Sequence, residues 1–366
     1  MKKIAIICGG DSVESEISCL TSLKIAQELK KSNFPFLLIF LDKKNNYYLV
    51  DEYCEDFIKS QKYKKGQFKK KKNQCYFQVG LKKYWFDYLL ILGHGKNLED
   101  GKLSNYFSQM GFPILSESSY NGVIIQDKVF FKHLLRSLGF NVIPFEYLYN
   151  YQKDNDELID NIKKTIDSDL IIKPSCLGSS VGVSLVKKNE NIKKALYNAF
   201  LYDNKVIIEK CIKRKKELNI AIIGYQDDIT FSNIEEVNDQ EDLLSFYDKY
   251  DYSCNNKKRI IKPNIKEKLK NDICTTALDL YKKLNICGLV RFDFIYDVEE
   301  DTLYLSEINL VPGSLAYYLF EDKYNLTDLI VKYIGILEKK YQEDSILLNK
   351  YMEGFINKID LSKLKK

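Results

Sequence analysis

Two stretches near the end of the chain, LVRFDFIY (Leu289–Tyr296) and TLYLSEINL (Thr302–Leu310), constrain the fold more than anything else in its 366 residues. Successive side chains of an extended strand point to opposite faces. Val290, Phe292, Phe294 and Tyr296 therefore share one face, and Arg291 and Asp293 share the other; Glu307 and Asn309 share a face of the second segment. If the strands are neighbours and their polar faces coincide, two carboxylates, an amide oxygen and a guanidinium converge in an otherwise apolar sheet. Such a set is costly to bury without a use. Oxygen ligands of this kind suit magnesium, which keeps waters and substrate phosphates in its shell. The competing reading is an Arg–carboxylate ion pair on a solvated sheet face.

A chain this long exceeds the usual single domain, and 45% hydrophobic with 29% charged residues is globular composition, so two or three domains with sizeable cores are expected. Of 56 basic residues only four are arginine (Arg136, Arg214, Arg259, Arg291), and the histidines are His94 and His133. With so strong a lysine bias, a net charge of +5 says little about partners. Arg136, Arg214 and Arg259 read as surface residues, and His133 as packed or solvated on its helix. Nine cysteines, never in a CxxC pair, support neither a disulfide framework nor a zinc site; a reducing cytoplasm is the simplest setting. The N-terminal apolar run stops after Cys8, too short for a signal sequence or a membrane span.

Ile4–Cys8 followed by Gly9-Gly10 reads as a strand entering a glycine turn, and Ser18–Leu29 has helical spacing. Phe36–Leu41 and Tyr88–Leu92 are apolar enough to lie inside a parallel sheet, so the first hundred or so residues are α/β. Residues 61–73 hold seven lysines in thirteen positions. Without arginine, and with little aromatic interleaving, they read as a solvated loop or hairpin tip rather than a nucleic-acid or membrane patch. One helix is expected over Asn121–Gly139, with Pro144 beyond it. A charged stretch over 151–169, strands at Leu170–Pro174, Lys205–Glu209 and Leu218–Ile223, a polar region over 226–258 and a final helix from Thr327 complete the outline. In IIKPSCLGSSVGVS, Lys173 ends a strand and is followed by small residues whose backbone N–H groups can approach an anion closely, a phosphate cradle. Neither GxxxxGK[ST] nor GxGxxG is present, so a P-loop and a dinucleotide fold are unsupported.

Five segments in this order resemble the D-alanine:D-alanine ligases of the ATP-grasp superfamily, over Lys3 to about Phe320. Gly9-Gly10-Asp11-Ser12-Val13-Glu14-Ser15-Glu16-Ile17-Ser18 is similar to GGxSxExxxS, and His94-Gly95-Lys96-Asn97-Leu98-Glu99-Asp100-Gly101 to HGxxGEDG. Asp127-Lys128 sits where the family has MDK, and Lys173-Pro174-Ser175 with Gly178-Ser179-Ser180-Val181-Gly182 resembles KPxxxGSSxG. Arg291-Phe292-Asp293 and Glu307-Ile308-Asn309 with Pro312-Gly313 resemble RxD and ExNxxPG.

The resemblance implies an α/β (α+β) ATP-grasp enzyme of three domains: a parallel-sheet α/β domain over 1–115, a central domain over 116–208, a C-terminal domain with the metal site over 209–345, and a helical lysine-rich tail over 346–366. It implies a ligase that joins two D-alanines through an acyl phosphate for peptidoglycan, with no covalent enzyme nucleophile. ATP would lie with Lys128, Lys173 and Ser180 at its phosphates, Glu209, Lys210 and Ile212 at the adenine and Glu217 at the ribose. Two magnesium ions, replaceable by manganese, would be held by Asp293, Glu307 and Asn309. Glu14 would anchor the first substrate's ammonium and His94 its carboxylate, while Arg291 and the Gly313 N–H would stabilise the oxyanion. A lid carrying Lys249 and Tyr250, with Tyr252 as a second candidate, would close on Glu14 and Ser179. The chain departs from the family at Leu98 for glycine, Ser104-Asn105 for Gln-Gly, Gln126 for methionine, and Tyr318 where a serine commonly meets the second substrate's carboxylate. Ser314 is the residue that could compensate for Tyr318, and D-Ser and D-lactate stay open as acceptors. A non-catalytic nucleotide-binding relative is the reading from another class. The resemblance further implies a cytoplasmic homodimer that binds neither nucleic acid nor membrane.

Overall fold

Ile4–Gly9 (β1) is buried at all six positions, which suits a strand covered on both faces of a sheet. It pairs in parallel with Phe36–Leu41 (β2) on one side and Tyr88–Ile91 (β7) on the other, the arrangement the sequence led us to expect. The computed structural model describes residues 2–50, 62–116, 119–238 and 258–351. Tyr47–Val50 (β3), Tyr63–Lys71 (β4), Gln74–Val79 (β5), Lys82–Phe86 (β6) and Ile114–Leu115 (β8) extend this first sheet to eight strands in the order β6-β5-β4-β3-β2-β1-β7-β8. Helix α1 (Ser15–Lys31) buries Leu23, Ile25 and Leu29 against it, each contributing about 2 kcal/mol of apolar burial. Lys102–Gln109 (α2) packs Phe107 on the opposite side. The lysine-rich segment is a strand, β4, that ends in a hairpin turn at Lys72-Asn73, so the hairpin-tip reading holds for its end and the loop reading does not hold for the rest. Phe68 at its centre packs between Phe77 and Phe107, with ring centroids 5.0 and 4.9 Å away, and this anchor holds a strand whose other side chains are mostly solvated lysines.

The single helix expected over 121–139 is two: Ser119–Gln126 (α3) and Lys128–Ser137 (α4). Asp127 breaks them because its side chain accepts from the N–H groups of Val129 and Phe130, at 3.1 and 3.2 Å, and so caps a new helix that begins at Lys128. A second, four-stranded antiparallel sheet follows, from Phe145–Tyr149 (β9), Leu170–Pro174 (β10), Ser184–Val186 (β11) and Lys205–Lys210 (β12), in the order β11-β10-β12-β9. Helices Asp156–Ile166 (α5) and Lys193–Phe200 (α6) cover one face through Ile159, Ile162, Leu196 and Ala199. The sequence left α5 as an unassigned charged stretch; Asn155 starts it by accepting from Leu158 N at 3.0 Å.

The third sheet, Lys215–Tyr225 (β13), Asp228–Asn238 (β14), Lys258–Ile261 (β15), Gly288–Asp297 (β16) and Thr302–Asn309 (β17), is antiparallel in the order β15-β14-β13-β16-β17. Part of the region expected to be merely polar is β14, formed by pairing along β13. Helix Glu267–Lys283 (α7) packs on the apolar face carrying Val290, Phe292 and Phe294. Leu326–Tyr351 (α8) sets Leu329, Ile330 and Tyr333 among residues of both β1 and β16, tying the first sheet to the third. Among the described residues no helix is long and apolar enough to cross a membrane.

Candidate active site

Strands β16 and β17 are neighbours with coinciding polar faces: Arg291 lies opposite Asn309 and Asp293 opposite Glu307. Arg291 donates through Nε and Nη2 to the two oxygens of Asp293, 2.6 Å each, and Asn309 Nδ2 donates to Asp293 Oδ2 at 2.7 Å. Burial raises the Asp293 carboxyl above the ordinary range, with Arg291 opposing and Glu307 adding to the rise. Asp293 also lies opposite Asn219 on β13, and Asn219 opposite Glu235 on β14, so the polar row crosses four strands. Two carboxylates and an amide oxygen form a hard, all-oxygen donor set that fits magnesium. Among the described residues no three His, Cys, Asp or Glu side chains gather that could hold a metal ion by themselves.

The sequence did not single out Glu235 and treated Arg259 as a surface residue. Glu235 is fully buried; its Oε2 accepts from Tyr318 OH at 3.1 Å and from Asn219 Nδ2 at 3.2 Å. Arg259 is 52% exposed, yet its Nη1 donates to Tyr318 OH at 2.9 Å and lies 3.5 Å from Glu235 Oε1, so it belongs to this corner. Burial and the Glu235 charge push the Tyr318 hydroxyl up to about 12, leaving it a neutral donor. Gly313 is exposed, and Ser314, Leu315 and Ala316 after it hold φ of 50°, 55° and 46°, a tight left-handed turn that costs non-glycine residues energy.

A second cluster forms around Glu14, which is 2% exposed. Its Oε1 accepts from Ser179 Oγ, 165 positions away in the loop after β10. Gly95, at φ +80°, has no room for a Cβ beside Ser12 and Glu14, and one at Gly178 would lie 3.2 Å from Glu14 Oε1. Glycine at both positions lets backbone close around the carboxylate. His94 Nδ1 meets Glu99 Oε1 at 3.0 Å, while Gly95 N donates to Glu99 Oε2 at 2.9 Å. Glu14 Oε2 and His94 Nε2 are buried without a hydrogen-bond partner among the described residues, as expected of atoms that face a ligand. Burial, then the Glu99 charge, raises the Glu14 carboxyl. For His94, burial favours the neutral ring, but the hydrogen bond and charge of Glu99 outweigh it and hold the imidazole above its ordinary value. Leu98, where the family has glycine, fills a gap over two glycines: a Cβ at Gly10 or Gly93 would come within 2.7 or 2.8 Å of it.

The third cluster lies on the face of the second sheet turned to α4. Ile171 pairs with Glu209 across β10 and β12, so Lys173, two residues on, shares the face of Glu209. Lys173 Nζ is 2.7 Å from Glu209 Oε2, and Lys132 Nζ on α4 is 3.0 Å from Oε1. Burial works against the Glu209 charge, but the two lysines hold its carboxyl at about 2. Lys128, one turn before Lys132, donates to Leu177 O at 2.5 Å. Ser179 and Ser180 adopt φ of 52° and 58° in the adjoining loop. Lys210 turns its side chain away to Glu300 at 2.6 Å, Ile212 is buried against Ile143 and Tyr304, and Glu217 accepts from Lys215 at 2.7 Å. Lys132 belongs to none of the sequence motifs; its spacing of four from Lys128 is the available signal. Lys249, Tyr250 and Tyr252 lie outside the described residues. His133 packs edge-on to Phe145, and Arg136 lies over the same ring, which borders the third cluster beside Lys132.

Residues 3–116 match the family model described as D-ala D-ala ligase N-terminus, and residues 134–330 that described as D-ala D-ala ligase C-terminus. The chain is 32% identical to the D-alanine–D-alanine ligase of Thermosipho melanesiensis over 357 residues, covering 95% of this chain and 96% of the relative. It is 36% identical to that of a Sulfurovum species over 325 residues, covering 87% and 89%. The crystal structure of the D-alanine–D-alanine ligase from Helicobacter pylori is similar with a TM-score of 0.74 at 27% identity, covering 92% of this chain and 98% of that one.

Proposed function

The chain belongs to the D-alanine:D-alanine ligase family, and we propose from that premise that it joins two D-alanines with consumption of ATP to make the dipeptide of peptidoglycan precursors. The observation that carries this reading is the meeting of distant segments: Glu14 from the first sheet is bonded to Ser179 from the second, with His94 and Lys128 close enough to act on its charge, and Arg291 of the third sheet close enough to act on that of His94. We take the three sheets as the cores of domains over 1–115, 116–208 and 209–345.

On this reading Glu14 takes the ammonium of the first D-alanine and protonated His94 its carboxylate. That carboxylate attacks the γ-phosphorus of ATP, breaking its bond to the β–γ bridging oxygen and leaving ADP and an acyl phosphate. Lys128, Lys173 and the Ser180 region carry the phosphate charge during transfer, with the segment 209–212 at the adenine and Glu217 at the ribose. The free amine of the second D-alanine then attacks the acyl carbon, Arg291 with the Gly313 N–H stabilises the oxyanion, and the adduct collapses as the C–O bond to phosphate breaks, the nitrogen's proton leaving with the phosphate. Asp293, Glu307 and Asn309 would hold two magnesium ions, or manganese in their place. When bound, these ions neutralise charge on the phosphates. Ser314, Tyr318 and Arg259 face the acceptor's carboxylate, and Lys249 with Tyr250 closes over the site to exclude water. The nine cysteines favour a reducing compartment, the cytoplasm, and the family resemblance favours a homodimer.

Purified protein with ATP, magnesium and a panel of D-alanine, D-serine and D-lactate tests the reading. D-alanine alone should release phosphate and yield the dipeptide. No D-alanine-dependent release would refute it, and release only with another acceptor would assign a different ligase.

A pH profile tests the His94 assignment. A raised imidazole pKa means that the charged ring, and whatever stability it adds, is fully present below about 6.5 and is lost as pH rises through the folded-state value. Glu99→Gln removes the main contribution opposing burial, so the alkaline rise in KM for the first D-alanine should move to lower pH. An unmoved profile would show that His94 does not bind that carboxylate as a cation.

A further inference from the structure

We propose that Lys132 is a positioning residue for nucleotide binding: it holds Glu209 from the buried side so that Lys173 is left with charge to offer the phosphates. The proposal rests on the reading of Lys173 as a phosphate ligand. Lys132 is 1% exposed, whereas the Lys173 side chain is 16% exposed, so of the two only Lys173 reaches solvent. Lys132 cannot touch a nucleotide; it acts through the carboxylate it shares. Glu209 offers one oxygen to each lysine, Oε1 to Lys132 and Oε2 to Lys173.

The charge count carries the argument. Glu209 and Lys173 alone would form a neutral pair, and an incoming phosphate would have to break it. With Lys132 the trio is +1, and its solvent-reaching member is Lys173, on which the more distant carboxylates of Glu307 and Glu217 also act. Burying a third charge is unfavourable for the fold, since desolvation and the nearby charges of Lys173 and Lys128 all act against the Lys132 ammonium. A stable core would be served better by an apolar side chain there. Helix α4 starts at Lys128 because Asp127 caps it, so the same cap sets the height at which Lys132 meets β12.

The test reads the phosphate-dependent part of binding, the ratio of adenosine to ADP dissociation constants, by calorimetric titration of the full-length protein. Lys132→Met should weaken ADP about tenfold, the scale of one charge-assisted hydrogen bond, while adenosine changes less than about twofold, so the ratio falls about tenfold. The double variant Lys132→Met with Glu209→Gln leaves no buried carboxylate to hold Lys173, and its ratio should return to within about threefold of the wild type. An unchanged ratio in the single variant, equal weakening of both ligands, or no recovery in the double variant overturns the proposal. A wild type that binds ADP no better than adenosine instead removes the nucleotide reading on which it rests.

Discussion

Glu307→Gln is expected to lower turnover at least about a thousandfold while leaving the unfolding temperature within about 2 °C of the wild type. The substitution keeps the shape of the side chain and removes one of the two carboxylates on the polar face of β16 and β17. A metal bound there supplies several kcal/mol of charge stabilisation during phosphoryl transfer, and each 1.36 kcal/mol is a factor of ten. Stability responds differently. Glu307 lies opposite Asp293 and its charge pushes the Asp293 carboxyl up, so neutralising it relieves that repulsion while giving up an attraction for Lys173, and the two effects oppose each other. Phosphate release under saturating ATP and D-alanine, beside thermal unfolding of the same sample, separates the two effects. A variant retaining more than about a tenth of wild-type turnover would show that the metal does not sit on this row.

The alternation that points to this row was legible because period two is a property of the strand itself and needs no partner to be read. The same holds for β1, β2 and β7, whose unbroken apolar runs announce a sheet covered on both sides. What escaped depends on partners. Strand β14 carries SNIEEVN, with no clean apolar alternation; it is extended because β13 pairs with it, and its buried Glu235 is held by Asn219 and Tyr318 from other elements. Asp127 was seen as part of a motif, but its second role as a helix cap was missed, since the pattern of apolar residues continues across it and only the backbone break reveals the cap. Lys132 is hard to single out for a related reason, its spacing of four from Lys128 being the one cue. A lysine in a chain with so many looks solvated until a helix face, a strand register and a carboxylate are brought together around it. Arg259 belongs to no motif and so reads as a surface residue, and sequence alone does not report that one edge of its guanidinium is engaged by Tyr318.

Arg291→Met is expected to reduce both turnover and stability, in contrast to the loss of Glu307. Arg291 serves two ends of one geometry. Its paired bonds to Asp293 hold the carboxylate in a site that burial would otherwise neutralise, and on the proposed mechanism it also meets the oxyanion formed when the second amine attacks. Removing a single oxyanion donor costs about a hundred- to a thousandfold in turnover. Removing the partner of a largely buried carboxylate costs about 3 kcal/mol, because Asp293 is left facing Glu307 with its main counter-charge gone. Arg291→Lys separates the roles: an ammonium restores charge near Asp293 but cannot make two parallel bonds, so stability should recover by about half while turnover stays at least about thirtyfold down. Denaturant unfolding and steady-state turnover on the three proteins check the ordering. If the lysine variant recovers turnover together with stability, charge alone suffices at this position and the fork geometry of Arg291 plays no part in the second step.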